Sequence, residues 1–398
     1  MRKNSTAVKT HKHAWIILAI VYLATVSSGI MMNKVSPSIP ILLAVFGINL
    51  SQAGLLMSVY ALTAVLLAIP AGILINKIGH RTTAVLALLF LIIGSVVGAV
   101  SDSFALLLIS RMLEGVGSAL IVVLGPALIA MWFPPENSGT PVGIWSTATP
   151  VGGFIALTFI PSIIGSFGWK SVWWAAAGVT VIALLFFVVF FKTLPGGVEI
   201  QESKAEQAAN LKKLYANKSI WLAGLVIMCF TLVLVPLVTY YPTFLTEHKG
   251  FDLGLAGFMV GLISLATIPF SPLAGWLSDL IGSRRKVVIV GFLIMLPLFA
   301  TLFSVSGWLI ALYMILIGVG VASIPTPLFA AVPDLMGDVR MVGFGMAVLT
   351  IGLNLGTVIS APIFGALVDS VGWDTAAHIF APFAVVGILV SVMNKKLK

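Results

Sequence analysis

Stretches of about 20 apolar residues recur along this chain from Ala14 to Val392 with only short polar interruptions, and that recurrence decides the class of fold. A helix crosses a hydrocarbon core of about 30 Å with about 20 mainly apolar residues. A soluble domain of 398 residues, 60% of them apolar and 9% charged, has no interior large enough to hide such a surface. In lipid each span must satisfy its own backbone polar groups, so the spans are helices unless they close into a barrel. A barrel alternates apolar and polar residues, and runs such as Val181 to Phe191 do not. The sequence therefore predicts an all-α polytopic membrane protein. Its spans are expected at 14–45, 52–75, 82–101, 105–132, 141–166, 172–192, 219–245, 253–277, 286–305, 307–332, 341–368 and 373–394. The first follows a short basic tail, outlasts a signal peptide and has no small-residue cleavage site before a soluble domain, so it is expected to be permanent.

Charge sets the orientation. With the N-terminus in the cytoplasm, eighteen of the 22 Lys and Arg fall on the cytoplasmic side; only Lys170 and Lys249 lie opposite, and Lys34 and Arg111 lie within helices. This is the positive-inside pattern, so the net charge of +9 reports topology rather than a nucleic-acid surface. Both termini are expected in the cytoplasm and the chain in the plasma or inner membrane. A single cysteine, Cys229, excludes an intrachain disulfide framework, and the five scattered histidines show no metal-ligand spacing. No metal or cofactor is expected. No G-x-x-x-x-G-K-[ST] sequence occurs, so ATP is not expected to drive the protein directly.

The chain repeats itself. Gly72-Ile-Leu74-Ile-Asn76-Lys-Ile-Gly79-His-Arg81 is matched by Gly275-Trp-Leu277-Ser-Asp279-Leu-Ile-Gly282-Ser-Arg284, displaced by 203 positions, and Gly115-Val-Gly117 by Gly318-Val-Gly320 at the same displacement. Ser166-Phe-Gly168-Trp169 pairs with Ser370-Val-Gly372-Trp373 at 204. The polar segment between the copies divides the chain into a six-helix bundle over 1–191, a cytoplasmic linker over 192–218 and a second six-helix bundle over 219–398. Parallel six-helix repeats are a transporter architecture with the substrate site between the halves.

These motifs resemble those of the major facilitator superfamily, and the resemblance runs the whole length. The loop between helices two and three is similar to that family's G-x-L-x-D-x-x-G-x-R signature. Its glycines permit a tight turn and close approach, and its charges lock or release the halves. Gly72, Asn76, Gly79 and Arg81 form the first copy, and Gly275, Asp279, Gly282 and Arg284 the second. Asn76 stands where the family usually carries Asp, so Asp279 is expected to hold more of the cytoplasm-closed state. Arg111-Met-Leu-Glu114-Gly115 is similar to the family's R-x-x-Q-G motif, with Glu for Gln. The run Gly143 to Gly153 partly resembles an antiporter motif, with Thr149 replacing a glycine. Pro126-Ala127, Trp132-Phe133-Pro134 and Tyr240-Tyr241-Pro242 resemble the branch of cyanate permeases, nitrate/nitrite porters and organic anion:cation symporters. The symporters' helix-four carboxylate has Ile121 near its place here.

A charge at a helix centre costs about 2.5–3.5 kcal/mol on insertion scales, so Lys34, Arg111 and Glu114 each ask for a reason. Arg111 and Glu114, three apart, share a helix face. They are either a self-neutralising structural pair or a site where Glu114 takes a proton. Lys34 has no acid at helical spacing in its own span; it either meets an anionic substrate beside Asn33 or snorkels to the outer surface. Asn33-Lys34 resembles the acid-arginine pair of the anion:cation symporters with the acid lost. Tyr240 and Tyr241 are expected near the outer end of helix seven, in the interfacial belt or closing the cavity. Asn354 among its glycines is read as a packing residue or a cavity contact, and Trp145 and Tyr60 as cavity aromatics. His378 is a further proton-coupling candidate or else a packing residue.

The expected function is therefore secondary transport of a small organic or inorganic anion by alternating access, moved with protons or by facilitated exchange, in a monomer that contacts substrate and bilayer and no nucleic acid. The alternative is a drug or neutral-solute exporter working as a proton antiporter. A sensor or an enzyme is disfavoured, since neither a signalling domain nor a nucleophile-base constellation is present.

Overall fold

The computed structural model describes residues 12–133, 139–192, 213–338 and 341–397. Among these, twelve helices are long and apolar enough to span a membrane: α1 His13–Phe46, α2 Leu50–Leu67, α3 Lys77–Ala99, α4 Phe104–Trp132, α5 Thr140–Phe167, α6 Lys170–Phe190, α7 Lys218–Lys249, α8 Leu253–Ile281, α9 Arg284–Ser304, α10 Leu309–Met336, α11 Val342–Val371 and α12 Trp373–Met393. The all-α, twelve-span class expected from hydropathy is the observed one. Most of the expected linker, residues 193–212, lies outside the described residues, as does Arg340.

Two departures from the expected spans have backbone causes. α1 is broken: a regular helix ends at Asn33, a 3-10 turn covers Ser36–Ser38, and helix resumes over Ile39–Phe46. Pro37 has no N–H for the carbonyl of Asn33 and its ring crowds that carbonyl, so the helix stops there. Lys34 thus sits in the break. Conversely, the loop expected around Asn76 to Arg81 is nearly absent. Helix runs from Leu50 to Ala99 with one non-helical residue, Gly79 at φ 79° and ψ 160°, a conformation that a Cβ would oppose.

The internal repeat extends to the backbone. Gly168 and Gly372, the displaced pair in the Ser-x-Gly-Trp motif, end α5 and α11 with nearly the same dihedrals, φ 79°, ψ 169° and φ 81°, ψ 171°. At the α1–α2 and α7–α8 turns, Asn49 and Asp252 each accept a backbone N–H as helix N-caps, from Gln52 and Leu255.

Helices α1–α6 pack on one another and α7–α12 do the same; the two sets meet where α2 crosses α11 and α5 crosses α8. Those crossings lie toward the end of the bundle opposite the termini, termed the far end. Glycine makes them close. A Cβ on Gly54 of α2 would fall 2.6 Å from the carbonyl carbon of Ala361, and one on Gly257 of α8 would fall 2.2 Å from the carbonyl oxygen of Leu157. Side chains also cross between the sets: Ser36 donates to the carbonyls of Val238 and Thr239, Ser58 to Val358, and the Asp369 carboxylate accepts from the Ser51 amide.

Candidate functional site

Among the described residues three charged side chains are fully buried, and they form one cluster: Lys34, Arg111 and Glu114. Glu114 lies between the two cations. Its Oε1 accepts from Lys34 Nζ at 2.6 Å, and its Oε2 pairs with Arg111 Nη1 one helical turn away on α4. Lys34 therefore has an acid partner, contributed by another helix. The snorkelling alternative for Lys34 is corrected. The break at Pro37 takes Lys34 out of the regular helix, and the side chain turns into the bundle instead of along its surface.

The rest of the shell satisfies the cations. Lys34 Nζ also donates to Ser95 Oγ at 2.8 Å and lies 4.8 Å from the centre of a Trp173 ring. Ser95 in turn donates to the Trp173 carbonyl at 2.8 Å. Arg111 donates from Nε to the Leu56 carbonyl at 3.1 Å and from Nη1 to the Met31 carbonyl at 2.7 Å, and its guanidinium lies 4.3 Å from the centre of the Tyr60 ring. Such contacts suit a planar fork over an aromatic face. Its Nη2 is buried without a hydrogen-bond partner. From Tyr60 a polar thread continues, its hydroxyl donating to the Ser28 carbonyl at 3.3 Å and Ser28 Oγ meeting Ser118 Oγ at 2.6 Å.

Small residues make the enclosure possible. A Cβ on Gly94 of α3 would come within 2.8 Å of the Glu114 backbone, and one on Gly98 within 2.2 Å of the Trp173 ring. The cluster is thus walled by α1, α2, α3, α4 and α6, inside the first set of helices. It carries two positive charges against one negative.

Asn33, the neighbour of Lys34, faces elsewhere. Its amide donates to the Gly29 carbonyl at 2.9 Å. Both Asn33 and Ser264 of α8 flank Gly153 of α5, so Asn33 lies where the sets meet. Tyr240 and Tyr241 are wholly buried, which corrects their placement in an interfacial belt. Tyr240 spans the seam, its hydroxyl reaching the carbonyls of Leu50 at 2.9 Å and Ala361 at 2.7 Å, whereas Tyr241 donates to Leu302 at 3.2 Å within the second set. Trp145 is half-buried, donates to Thr25 Oγ1 at 2.9 Å and packs against Gly125. Asn354, also half-buried, donates to the Thr350 carbonyl at 2.9 Å in its own helix. His378 is exposed, with Nδ1 on the Asp374 carbonyl at 2.6 Å, and does not join the charged cluster.

In the repeated motif, Gly72 is helical and the Asn76 side chain lies outside what is described; Arg81 is exposed. Gly282 caps α8 with φ 62° and Gly275 faces Thr326. Asp279 is exposed, and among the described residues its carboxylate has no hydrogen-bond or ion-pair partner. Arg284 pairs instead with Asp334 of α10, beside a cavity of about 370 Å³ that Lys396 also lines.

Sequence reasoning missed Ser95 and Trp173 as members of the cluster and read Tyr60 only as a cavity aromatic, since partners on different helices leave no periodic signal. One signal was present: of the charged residues set deep within the spans, Lys34, Arg111 and Glu114, only Glu114 is an acid, which makes it the partner available to both cations.

The profile of the Major Facilitator Superfamily matches residues 21–269 and 237–396. The chain is 23% identical to a probable sulfoacetate transporter, SauU, of Cupriavidus necator, covering 96% of this chain and 94% of that one. It is 22% identical to the hexuronate transporter of Bacillus subtilis over 95% of each chain, and 24% identical to the D-galactonate transporter of Escherichia coli over 96% of each. Among solved structures it is similar to a bacterial homolog of the human lysosomal transporter Spinster in an inward-facing, unoccupied conformation. The TM-score is 0.80 at 16% identity, covering 97% of this chain and 98% of that one, a likeness of fold.

Proposed function

The chain belongs to the Major Facilitator Superfamily, and we propose that it is a secondary transporter that carries a small organic anion across the membrane by alternating access. The observation that carries this reading is the buried cluster of Lys34, Glu114 and Arg111, whose charges leave one net positive in the membrane core. Excess positive charge in a low-dielectric interior favours an anion nearby far more than it would in water. Sulfoacetate, hexuronate and galactonate, named for three relatives, are all carboxylate or sulfonate solutes, which agrees with that field.

The cluster is shut within the first set of helices, so its part is to set the potential rather than to grip the solute. Asn33, adjacent to Lys34 and placed at the seam beside Ser264, is the position through which that potential meets the solute. Glu114 is the coupling site. A proton on Glu114 turns the net charge of the cluster from one positive to two, which strengthens anion binding. By linkage a bound anion favours the proton in return. The distribution of basic residues supports an orientation with both termini in the cytoplasm and the far end outward. In motif the chain resembles the superfamily branch of cyanate permeases, nitrate/nitrite porters and anion:cation symporters, and it works as a monomer.

A thermal-shift screen of the purified protein separates this reading from export of neutral solutes. Galactonate, glucuronate and sulfoacetate are compared with galactose and riboflavin, since a ligand that binds the folded state raises its apparent stability. The expected result is stabilisation by one or more of the organic anions. Stabilisation by a neutral solute alone would overturn the proposal.

A further inference from the structure

The seam at the far end is held by carbonyls that proline has set free. In a helix the carbonyl of residue i accepts from the amide of residue i+4, and proline has no amide hydrogen to give. Pro242 in α7 therefore leaves the Val238 carbonyl without its helical donor, and Pro362 in α11 does the same to Val358. Both freed carbonyls receive a serine hydroxyl from the other six-helix set: Ser36 of α1 donates to Val238, and Ser58 of α2 to Val358 at 2.7 Å. A third case uses no hydroxyl. Pro161 in α5 frees the carbonyl of Leu157, and Gly257 of α8 packs so tightly on that oxygen that a Cβ there would lie 2.2 Å away.

A carbonyl with no partner inside a membrane protein costs free energy unless protein or water satisfies it. When the far end is closed, serine supplies the hydrogen bond. When it is open, the same oxygen lines a wet cleft and water supplies it. Neither state leaves the group orphaned, so the bond makes and breaks at little net cost.

We propose that Ser36 with the Pro242-freed Val238 carbonyl, and Ser58 with the Pro362-freed Val358 carbonyl, are paired reversible latches that hold the far end closed. The inference rests on the reading that the two six-helix sets rock against each other. It adds the positions that set the balance between the two states. Deleting a serine hydroxyl leaves the freed carbonyl bare in the closed state only, so the open state gains.

The test is a spin-label distance measurement across the far end, with labels at Val45→Cys and Val371→Cys, both exposed, in a Cys229→Ser background and in lipid nanodiscs. Ser36→Ala and Ser58→Ala are each expected to raise the ratio of long to short distances roughly three- to tenfold, the effect of losing one neutral hydrogen bond. Replacing the proline returns a helical donor to the carbonyl. In Pro242→Ala the Ser36→Ala effect should then fall below about half, and in Pro362→Ala the Ser58→Ala effect likewise. Serine variants that leave the distances unchanged, or that shift them equally with the proline replaced, would overturn the latch. Should one proline variant fail to fold by size exclusion, the other pair carries the same test. Anion uptake is assayed on the same proteins: shifted distances with no uptake of any anion would refute the transport reading and leave the latch standing.

Discussion

Glu114→Gln removes the single negative charge between two buried cations, and the structure sets the size of the result. In the native cluster Glu114 answers both Lys34, at 2.6 Å, and Arg111. A glutamine amide keeps the shape, but it leaves two like charges facing one another without water. Removing one partner of a buried ion pair typically costs about 3–5 kcal/mol, most of it the penalty of the uncompensated charge left behind. At about 2.1 cal/mol/K per residue, the 398 residues have an unfolding entropy of about 0.8 kcal/mol/K. The expected fall in apparent Tm is therefore about 4–6 °C. Lys34→Met is expected to lose less than Glu114→Gln, because it leaves the neutral Arg111–Glu114 pair intact, and the charged hydrogen bonds to Glu114 and Ser95 that it surrenders are offset by the desolvation no longer needed. The order is the sharper test. Lys34→Met/Glu114→Gln restores the net charge of one positive, so the double variant should be more stable than Glu114→Gln alone. Thermal unfolding followed by tryptophan fluorescence in one detergent, with all four proteins compared, reads this directly. If Glu114→Gln melts with the wild type, or if the two losses simply add, the carboxylate is not holding the cations together.

Two further outcomes follow from the seam and the termini end. Gly54→Val places a Cβ within 2.4 Å of the Tyr240 hydroxyl and 2.6 Å of Ala361, so the far end should fail to close; labelling of an engineered cysteine near Leu50 by an impermeant maleimide should rise severalfold, and unchanged labelling would count against the seam as described. Arg284→Ala breaks an ion pair with Asp334 whose partners are 21% and 70% exposed; solvent screening limits its loss to less than about 1 kcal/mol, and a larger fall in unfolding midpoint would show that the pair is coupled to more than its own contact.

The number and length of the spans were legible because apolar length alone fixes them in lipid. The repeat was legible too, since Gly168 and Gly372 sit in matched tripeptides and adopt matched positive-φ conformations. What the sequence concealed was inter-helical. Nothing in the spacing around Lys34 points to Glu114, eighty residues away on another helix, and only the break that Pro37 imposes turns the lysine toward it. Tyr240 and Tyr241 look like belt residues from their place near a span end, but α7 continues to Lys249 and carries both inside the bundle. The hydroxyls of Ser36 and Ser58 look like ordinary small residues until the prolines on facing helices show which carbonyls they serve.

The central claim is that an organic anion crosses with the charge balance at Glu114 deciding its coupling. The direct measurement is uptake into proteoliposomes of whichever organic anion stabilises the protein most, with and without an imposed pH gradient that is alkaline inside. Wild type is run beside Lys34→Met/Glu114→Gln, whose restored net charge keeps the protein folded. The account predicts accumulation above the external concentration for wild type only when the gradient is present. The double variant should equilibrate the anion at best, at a rate indifferent to the gradient. Gradient-driven accumulation by the double variant would contradict the coupling role of Glu114, and movement of neutral galactose in place of every anion would contradict the account as a whole.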